Sequence, residues 1–186
     1  MREPKRVAIL ISGRGSNMRA LVECAKGYCV SLVGSNRADA AGLSWARERG
    51  LDIWALDSRT LSKEEFDREM SAELEARGIG TIALAGFMRI LTPWFVEAWR
   101  GRILNIHPSL LPKHRGLDTH RRAIEAGDRV SGCSVHVVTE ELDAGEVLGQ
   151  LEVPIVPGDS AATLEQRVLA AEHQLYPRVL SEFVNR

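Results

Sequence analysis

The sequence has 186 residues, of which 45% are hydrophobic, and its formal net charge is −1. This length and apolar content suffice for one domain with a buried core, and we expect a single domain over residues 1–186. The near-neutral charge and the lack of a basic stripe argue against binding of nucleic acid. A small-molecule substrate is therefore expected.

The cysteines and the N-terminal segment indicate the cellular compartment. Cys24, Cys29 and Cys133 are an odd number in apolar surroundings, which favours buried, reduced thiols over a disulfide framework. Residues 7–11 form an apolar run too short for a membrane span or a signal peptide. We expect a cytoplasmic protein without a membrane partner, either a monomer or a homodimer. No CxxC or HExxH spacing indicates a metal site.

The hydrophobic pattern predicts alternating strands and helices over most of the chain. The first apolar run is typical of a strand buried on both faces of a parallel sheet. Ser62 and Glu65 form a capping box at one helix start, and Pro93 suits the first turn of another helix. The predicted strands are residues 7–11, 29–34, 52–56, 81–85 and 103–106, and the predicted helices are 18–26 (with Gly27 as its C-cap), 39–49, 62–77, a short one from 93, and 119–126.

The pattern changes in the last third of the chain. Residues 133–139 and 147–156 are predicted strands joined by 140–146, which indicates a β-hairpin. Residues 160–184 form the last predicted helix, with a bend near Pro177. The fold class is therefore α/β: an open, mostly parallel, doubly wound sheet with a late antiparallel hairpin at its edge. Ligands of such sheets bind at the carboxyl ends of the strands.

Two glycines, Gly13 and Gly15, follow the first strand and precede the first helix. Glycines allow close approach of the backbone to a phosphate, and a helix N-terminus attracts anions. The loop is neither a dinucleotide fingerprint nor a P-loop, because Met18 stands where the third glycine would be. It is either a site for one phosphate monoester, held by Gly15, Ser16 and Asn17, or a plain tight turn.

Asn105 and His107 lie at the end of the fifth predicted strand, two residues apart. Alternate residues of a strand point to the same side, so an amide donor and an imidazole could face one reacting atom. Two donors aimed at a developing oxyanion are what acyl transfer needs. The alternative is a structural histidine beside a turn asparagine, and the position at a strand end, with Pro108 and Pro112 stiffening the loop, favours the catalytic interpretation.

Asp143 lies in the loop of the predicted hairpin. It is either a turn residue or, if the loop folds over the sheet edge, a partner of His107. A carboxylate there would raise the pKa of His107 and keep it protonated near neutral pH. His136 on the preceding strand is a weaker candidate that is better explained as structural. Residues 86–91 could hold a flat heterocycle, although the pattern alone favours a buried loop.

Taken together, these segments resemble the glycinamide ribonucleotide formyltransferase family. No single motif is decisive, but they occur in the order typical of the family and span nearly the whole chain. The matching segments are residues 11–17, 84–91, 105–112, 134–139, 141–145 and 171–173.

The resemblance implies a role for each matching residue. Gly15, Ser16 and Asn17 would hold the phosphate of the nucleotide, and Glu172 would contact its glycinamide end. The catalytic residues would be Asn105, His107 and Asp143. The folate pocket would be lined by Met88, Arg89, Ile90, Leu91 and Asn105, together with Lys63. The co-substrate would be 10-formyltetrahydrofolate, with no metal, and the reaction would be a step of purine biosynthesis.

Two departures from the family pattern limit this transfer of roles. Lys63 stands where the family often has an arginine that contacts the folate tail, and lysine lacks the bidentate fork. The segment 113–120 also differs, so Asp118 and His120 receive no substrate role.

Three alternatives to this function remain. Methionyl-tRNA formyltransferase resembles the chain around His107 but carries a further C-terminal RNA-binding domain, for which we expect no room. Formyltetrahydrofolate deformylase carries an extra N-terminal domain, for which we also expect no room. A non-catalytic phosphate sensor would use the glycine loop alone.

Overall fold

The computed structural model describes residues 3–186, which form one seven-stranded sheet covered by α-helices. The strands are β1 (Glu3–Ile11), β2 (Cys29–Ser35), β3 (Ile53–Ala55), β4 (Ile79–Leu84), β5 (Ile103–His107), β6 (Val130–Val137) and β7 (Val147–Pro154). The helices are α1 (Ser16–Glu23), α2 (Ala41–Glu48), α3 (Lys63–Ala76), α4 (Pro93–Ala98), α5 (Thr119–Glu125) and α6 (Ala161–Val184).

The strand order is β3-β2-β1-β4-β5-β6-β7. Strands β1 to β5 pair in parallel, whereas β6 is antiparallel to β5 and β7 is antiparallel to β6. This confirms the predicted doubly wound sheet with a hairpin at one edge.

The core lies on both faces of the sheet, and β1 shows why its sequence is apolar throughout. Its alternate residues Val7, Ile9 and Ile11 pack in the cluster that contains side chains of α1, α2 and α6. Ala8 and Leu10 pack on the other face, with side chains of α3 and α4. A strand buried on both faces has no polar side, so the sequence does not alternate.

Most predicted helices are confirmed, and the exceptions lie at their ends. The capping box at α3 is present, since Glu65 N–H donates to Ser62 Oγ and Ser62 N–H donates to Glu65 Oε2. Pro93 is the first residue of α4. Helix α6 runs unbroken past Pro177. Across residues 3–186, no helix is both long and apolar enough to cross a bilayer.

The start of α1 and the cysteines differ from the prediction. Helix α1 begins at Ser16 rather than 18 and ends at Glu23, so the C-cap is Cys24 and not Gly27. The thiols of Cys24 and Cys29 are exposed, and only Cys133 is buried. The expectation of three buried thiols was wrong because apolar neighbours in sequence do not determine which side of an element faces the core. A short 3₁₀ helix, Ser58–Thr60, was also not predicted.

From β1 the chain adds β2 and β3 on one side of the sheet and then β4 to β7 on the other side. The switch point therefore lies between the neighbouring strands β1 and β4. At this switch point the loops that follow the two strands are tied together. Ser12 N–H donates to Gly86 O, and Met88 N–H donates to Ser12 Oγ. Ser12 Oγ donates in turn to Asn36 Oδ1 in the loop after β2. Hydrogen bonds therefore join these three loops at the edge of the sheet where ligands of this fold class bind.

Candidate active site

The glycine loop after β1 presents a helix N-terminus without a side-chain cap. Gly15 is the N-cap residue of α1 and has a left-handed backbone, with φ of 72°. A Cβ added there would lie 2.7 Å from Met18 Cε, so both the conformation and the space favour glycine. The uncapped amides at Ser16 and Asn17 have no partner within the helix. This arrangement can bind an anion.

The side chain of Asn17 does not point to solvent at this loop. Its Nδ2 donates to Glu172 Oε2 of α6 at 2.7 Å, while its Oδ1 is buried without a partner. Only the backbone amide of Asn17, and not its side chain, can therefore make the predicted contact with a phosphate. The bond also brings Glu172 beside the glycine loop, so the structure groups the four residues predicted for the nucleotide.

Glu172 is a buried carboxyl, 6% exposed. Burial raises its pKa to about 6, although the hydrogen bond from Asn17 opposes this shift. A carboxyl whose pKa is raised in the folded state stabilises the fold fully below its unfolded pKa, near 4.5. That stabilisation is lost as the pH rises through about 6. At neutral pH the ionised group therefore costs stability, which is a common property of ligand-binding residues.

Replacing Glu172 by glutamine tests this cost. The glutamine side chain can still accept from Asn17 but carries no charge, so Glu172→Gln should be more stable than the parent at pH 7 by about 1–2 kcal/mol. The gain should vanish below pH 4.5 because the parent is then neutral as well. Thermal unfolding at several pH values measures the difference. A gain that does not change with pH would mean that the charge of Glu172 is not its cause.

Asn105 lies on β5 directly opposite His136 of β6. Its Nδ2 is 3.2 Å from His136 Nε2. The other ring nitrogen of His136, Nδ1, is 3.0 Å from the carbonyl of Val137, to which it can donate. In that tautomer Nε2 accepts one N–H of Asn105, and the second N–H remains for a substrate atom. His136, which the sequence favoured as structural, thus orients the amide.

His107 and Asp143 are adjacent, as predicted. Nδ1 of His107 is 3.4 Å from Asp143 Oδ2, and both side chains are buried. Asp143 Oδ1 is also 3.5 Å from His136 Nε2. The hairpin loop reaches this position through a left-handed backbone at Asp143, with φ of 50°. The backbone N–H of Gly116 donates to Asp143 Oδ2 at 2.9 Å and fixes the carboxylate.

The predicted direction of the His107 pKa was wrong. Burial lowers the pKa below its usual value, and this exceeds the opposing effects of the His114 carbonyl and the Asp143 charge. The prediction counted the carboxylate and omitted the desolvation of the ring. Burial also acts to raise the pKa of Asp143, but the contact with the His136 ring, the hydrogen bond from Gly116 and the proximity of His107 lower it overall. The pair therefore favours an ionised Asp143 beside a neutral His107 near pH 7.

The segment after β5 supplies contacts that sequence reasoning missed. Nε2 of His107 is 3.0 Å from the carbonyl oxygen of His114, so both ring nitrogens face acceptors. Arg115 Nη1 forms an ion pair with Glu141 Oε1 at 2.7 Å and joins this segment to the hairpin loop. His107 must exchange the His114 carbonyl for a substrate atom in order to donate from Nε2. In the sequence, only Gly116 indicated a turn in this segment, and the structure gives it a φ of +79°, which favours glycine.

The apolar residues predicted to bind the folate lie in the loop after β4. Met88 is 71% exposed and Ile90 is 70% exposed, and Leu142 of the hairpin loop is 61% exposed. This part of the segment is therefore a surface and not the buried loop that the pattern alone favoured. Leu91 is half-buried and packs against the core.

The two cations predicted for the folate side lie at the start of α3. The guanidinium of Arg89 donates to Ser62 O at 3.3 Å and lies 4.5 Å from the ring centre of Phe66. Lys63 is exposed in the first turn of α3. Arg89 therefore adjoins the exposed apolar residues of its own loop, and Lys63 is the residue after the Ser62 carbonyl that Arg89 contacts. No hydrogen bond joins either side chain to Asn105 among residues 3–186.

Neither residue left without a role forms a hydrogen bond or ion pair with the catalytic residues, although His120 lies close enough to His107 for the two charges to repel. Asp118 forms an ion pair with Arg121 in the first turn of α5. Nδ1 of His120 is buried without a hydrogen-bond partner, and burial lowers its pKa. Within residues 3–186, no group of three His, Cys, Asp or Glu side chains could hold a metal ion.

The fold and this arrangement define a class of protein. The family model described as formyl transferase matches residues 5–180, and the chain belongs to that family. Phosphoribosylglycinamide formyltransferase of Escherichia coli (strain K12) is 47% identical over 184 residues, which are 96% of this chain and 87% of the relative. A solved structure of phosphoribosylglycinamide formyltransferase from Brucella melitensis is 44% identical with a TM-score of 0.92, covering 100% of this chain and 97% of that one.

The same domain occurs in longer proteins. The trifunctional purine biosynthetic protein adenosine-3 of Homo sapiens is 43% identical over 180 residues. Those residues are 94% of this chain and 18% of the human protein. The comparison with that relative therefore concerns one part of it.

Proposed function

We propose that this chain transfers the formyl group of 10-formyltetrahydrofolate to the amine of glycinamide ribonucleotide, in purine biosynthesis. The observation that carries the proposal is the grouping of Asn105, His107 and Asp143 at the end of β5. Relatives named phosphoribosylglycinamide formyltransferase support it at 47% and 42% identity.

The nucleotide would occupy the side of the site formed by α1 and α6. Its phosphate would accept hydrogen bonds from the uncapped backbone amides of Gly15, Ser16 and Asn17. Its glycinamide end would reach Glu172, which Asn17 holds beside this loop. The folate would lie on the other side, where the exposed side chains of Met88 and Ile90 supply apolar contact. Arg89 and Lys63 place positive charge there, which suits a folate carboxylate.

The proposed chemistry is direct acyl transfer. The substrate amine attacks the formyl carbon, and the free N–H of Asn105 donates to the oxygen that becomes negative. Neutral His107, directly or through a water, accepts the proton that the amine loses, since its lowered pKa favours the neutral base. Asp143 then stabilises the imidazolium, which can return the proton to the nitrogen of the folate as its bond to carbon breaks.

A turnover assay tests the proposal. The purified protein should convert 10-formyltetrahydrofolate and glycinamide ribonucleotide into equal amounts of tetrahydrofolate and formylglycinamide ribonucleotide. Omission of the nucleotide should stop folate consumption, because the amine is the acceptor. Folate consumption that continues at the same rate without the nucleotide would indicate a deformylase. Binding of the nucleotide without any turnover would indicate a phosphate sensor.

Substitution of Gly15 tests the phosphate site. Gly15→Val should weaken nucleotide binding by about tenfold or more and folate binding far less, because the side chain blocks the approach to charged hydrogen bonds. Gly13→Val is the matched control, since a Cβ at Gly13 meets nothing within 4 Å. Calorimetric titration with each ligand measures both affinities. Equal losses for both ligands in Gly15→Val would show that the loop is merely structural.

A further inference from the structure

A second cavity lies between α1, α2 and α6, and Ser16 is the one lining residue that the proposed nucleotide site also uses. Its volume is about 640 Å³. That volume is within the range of pockets that hold small molecules. We call it the α1–α2–α6 cavity. The lining residues that matter for its chemistry are Ser16, Arg19, Glu23, Trp45, Arg49 and His173.

Two arginines of this cavity are held against one tryptophan. Cζ of Arg49 lies 3.8 Å from the ring centre of Trp45, and Cζ of Arg19 lies 5.4 Å from it. Neither guanidinium forms an ion pair with a carboxylate of residues 3–186, although Glu23 also lines the cavity. Stacking on an aromatic ring limits the rotation of a guanidinium and leaves its N–H edge available.

Two buried nitrogen atoms in the walls have no hydrogen-bond partner. They are Nε of Arg19 and Nε2 of His173. A buried donor without a partner costs free energy, and such groups are usually satisfied by a ligand, an ion or water. The two atoms come from α1 and α6, and both are closed off from solvent, so a guest in the cavity would pair with either one only after its side chain had turned toward the guest.

The donors in these walls suit a particular kind of guest. Two guanidinium groups can donate to several acceptor oxygens, and the hydroxyl of Ser16 can add another contact. Arginine matches phosphate groups through paired hydrogen bonds. We propose that the α1–α2–α6 cavity binds a small anion of the diphosphate class, at a site separate from the phosphate site at Gly15.

The matched pair Arg49→Gln and Arg47→Gln tests this site. Both substitutions remove one positive charge from the C-terminal end of α2, but only Arg49 lines the cavity. The probe is inorganic pyrophosphate, titrated calorimetrically into the full chain at constant ionic strength. Arg49→Gln should weaken binding by about tenfold or more, as expected for lost charged hydrogen bonds. Arg47→Gln should change binding by less than about twofold, as exposed, unpaired charges do.

Tryptophan fluorescence locates the bound anion. Pyrophosphate should change the emission of the parent protein, and Trp45→Phe should abolish that change while the heat of binding remains. Equal pyrophosphate isotherms for Arg49→Gln and Arg47→Gln would overturn the proposal, since binding at Gly15 alone predicts that result. Absence of binding to the parent at millimolar pyrophosphate would overturn it too. Both results are independent of whether the chain transfers formyl groups.

Discussion

Asp143→Asn is expected to retain the fold and to lose turnover by a factor of at least about 10²–10³, the cost of one lost charge-stabilising partner. Asp143 contacts His107, His136 and the backbone N–H of Gly116. Asparagine has nearly the same shape, but it cannot stabilise an imidazolium through charge. Binding of both substrates should change far less, because the lost interaction belongs to the transition state.

The same substitution should lower the pKa of His107. Burial already holds this pKa below its usual value, and the charge of Asp143 acts in the opposite direction. Removal of that charge leaves the burial effect less opposed, so the charged ring becomes still rarer at pH 7. NMR titration of His107 in the parent and in Asp143→Asn measures the shift.

Glu140→Gln provides the control for this experiment, since it removes an exposed carboxylate from the same hairpin loop. It should leave turnover and the His107 pKa nearly unchanged. Near-normal turnover in Asp143→Asn, or a His107 pKa that does not fall, would remove Asp143 from the mechanism. Asn105 and His107 would then act as the catalytic pair without it.

Asn105→Ala is expected to reduce kcat by a factor of about 10²–10³, comparable with the loss of one oxyanion donor. The substitution removes the N–H that is left over after the contact with His136. His107 cannot replace it at once, because its Nε2 faces the carbonyl of His114. The effect should fall on kcat rather than on KM, since the bond forms fully only as the oxygen becomes charged.

Steady-state kinetics with both substrates measures this split. Asn185→Ala, far from the site near the end of the chain, controls for the general effect of removing an asparagine. A loss in kcat of less than about tenfold would contradict the oxyanion role, because that role predicts about 10²–10³. A rise in KM for the folate alone would instead assign Asn105 to binding.

Local patterns predicted the parts of the fold that depend on neighbouring residues. The apolar run of β1 predicted burial on two faces, and Ser62 with Glu65 predicted the start of α3. The hairpin, predicted as strands 133–139 and 147–156 and found as β6 and β7, followed from the loss of the strand–helix alternation. These features depend on side-chain periodicity and on capping chemistry, which act over a few residues.

The contacts of the site depend on the path of the chain, which local patterns do not contain. The carbonyl of His114 and the N–H of Gly116 reach the catalytic pair only because the segment after β5 folds back over it. The pKa of His107 depends on how completely that segment buries the ring. The orientation of the Asn17 side chain depends on the position of α6, which lies far along the sequence.

The bond between Asn17 and Glu172 joins residues that are 155 positions apart. During synthesis the glycine loop and the first strands leave the ribosome long before the last helix exists. The side of the site proposed for the nucleotide is therefore incomplete until α6 docks onto α1, β6 and β7. A nascent chain that stops before α6 can form the turn at Gly15 but not the carboxylate beside it. The carboxylate proposed to contact the glycinamide amine would thus be in place only once α6 has docked, and closing so long a loop carries an entropic cost.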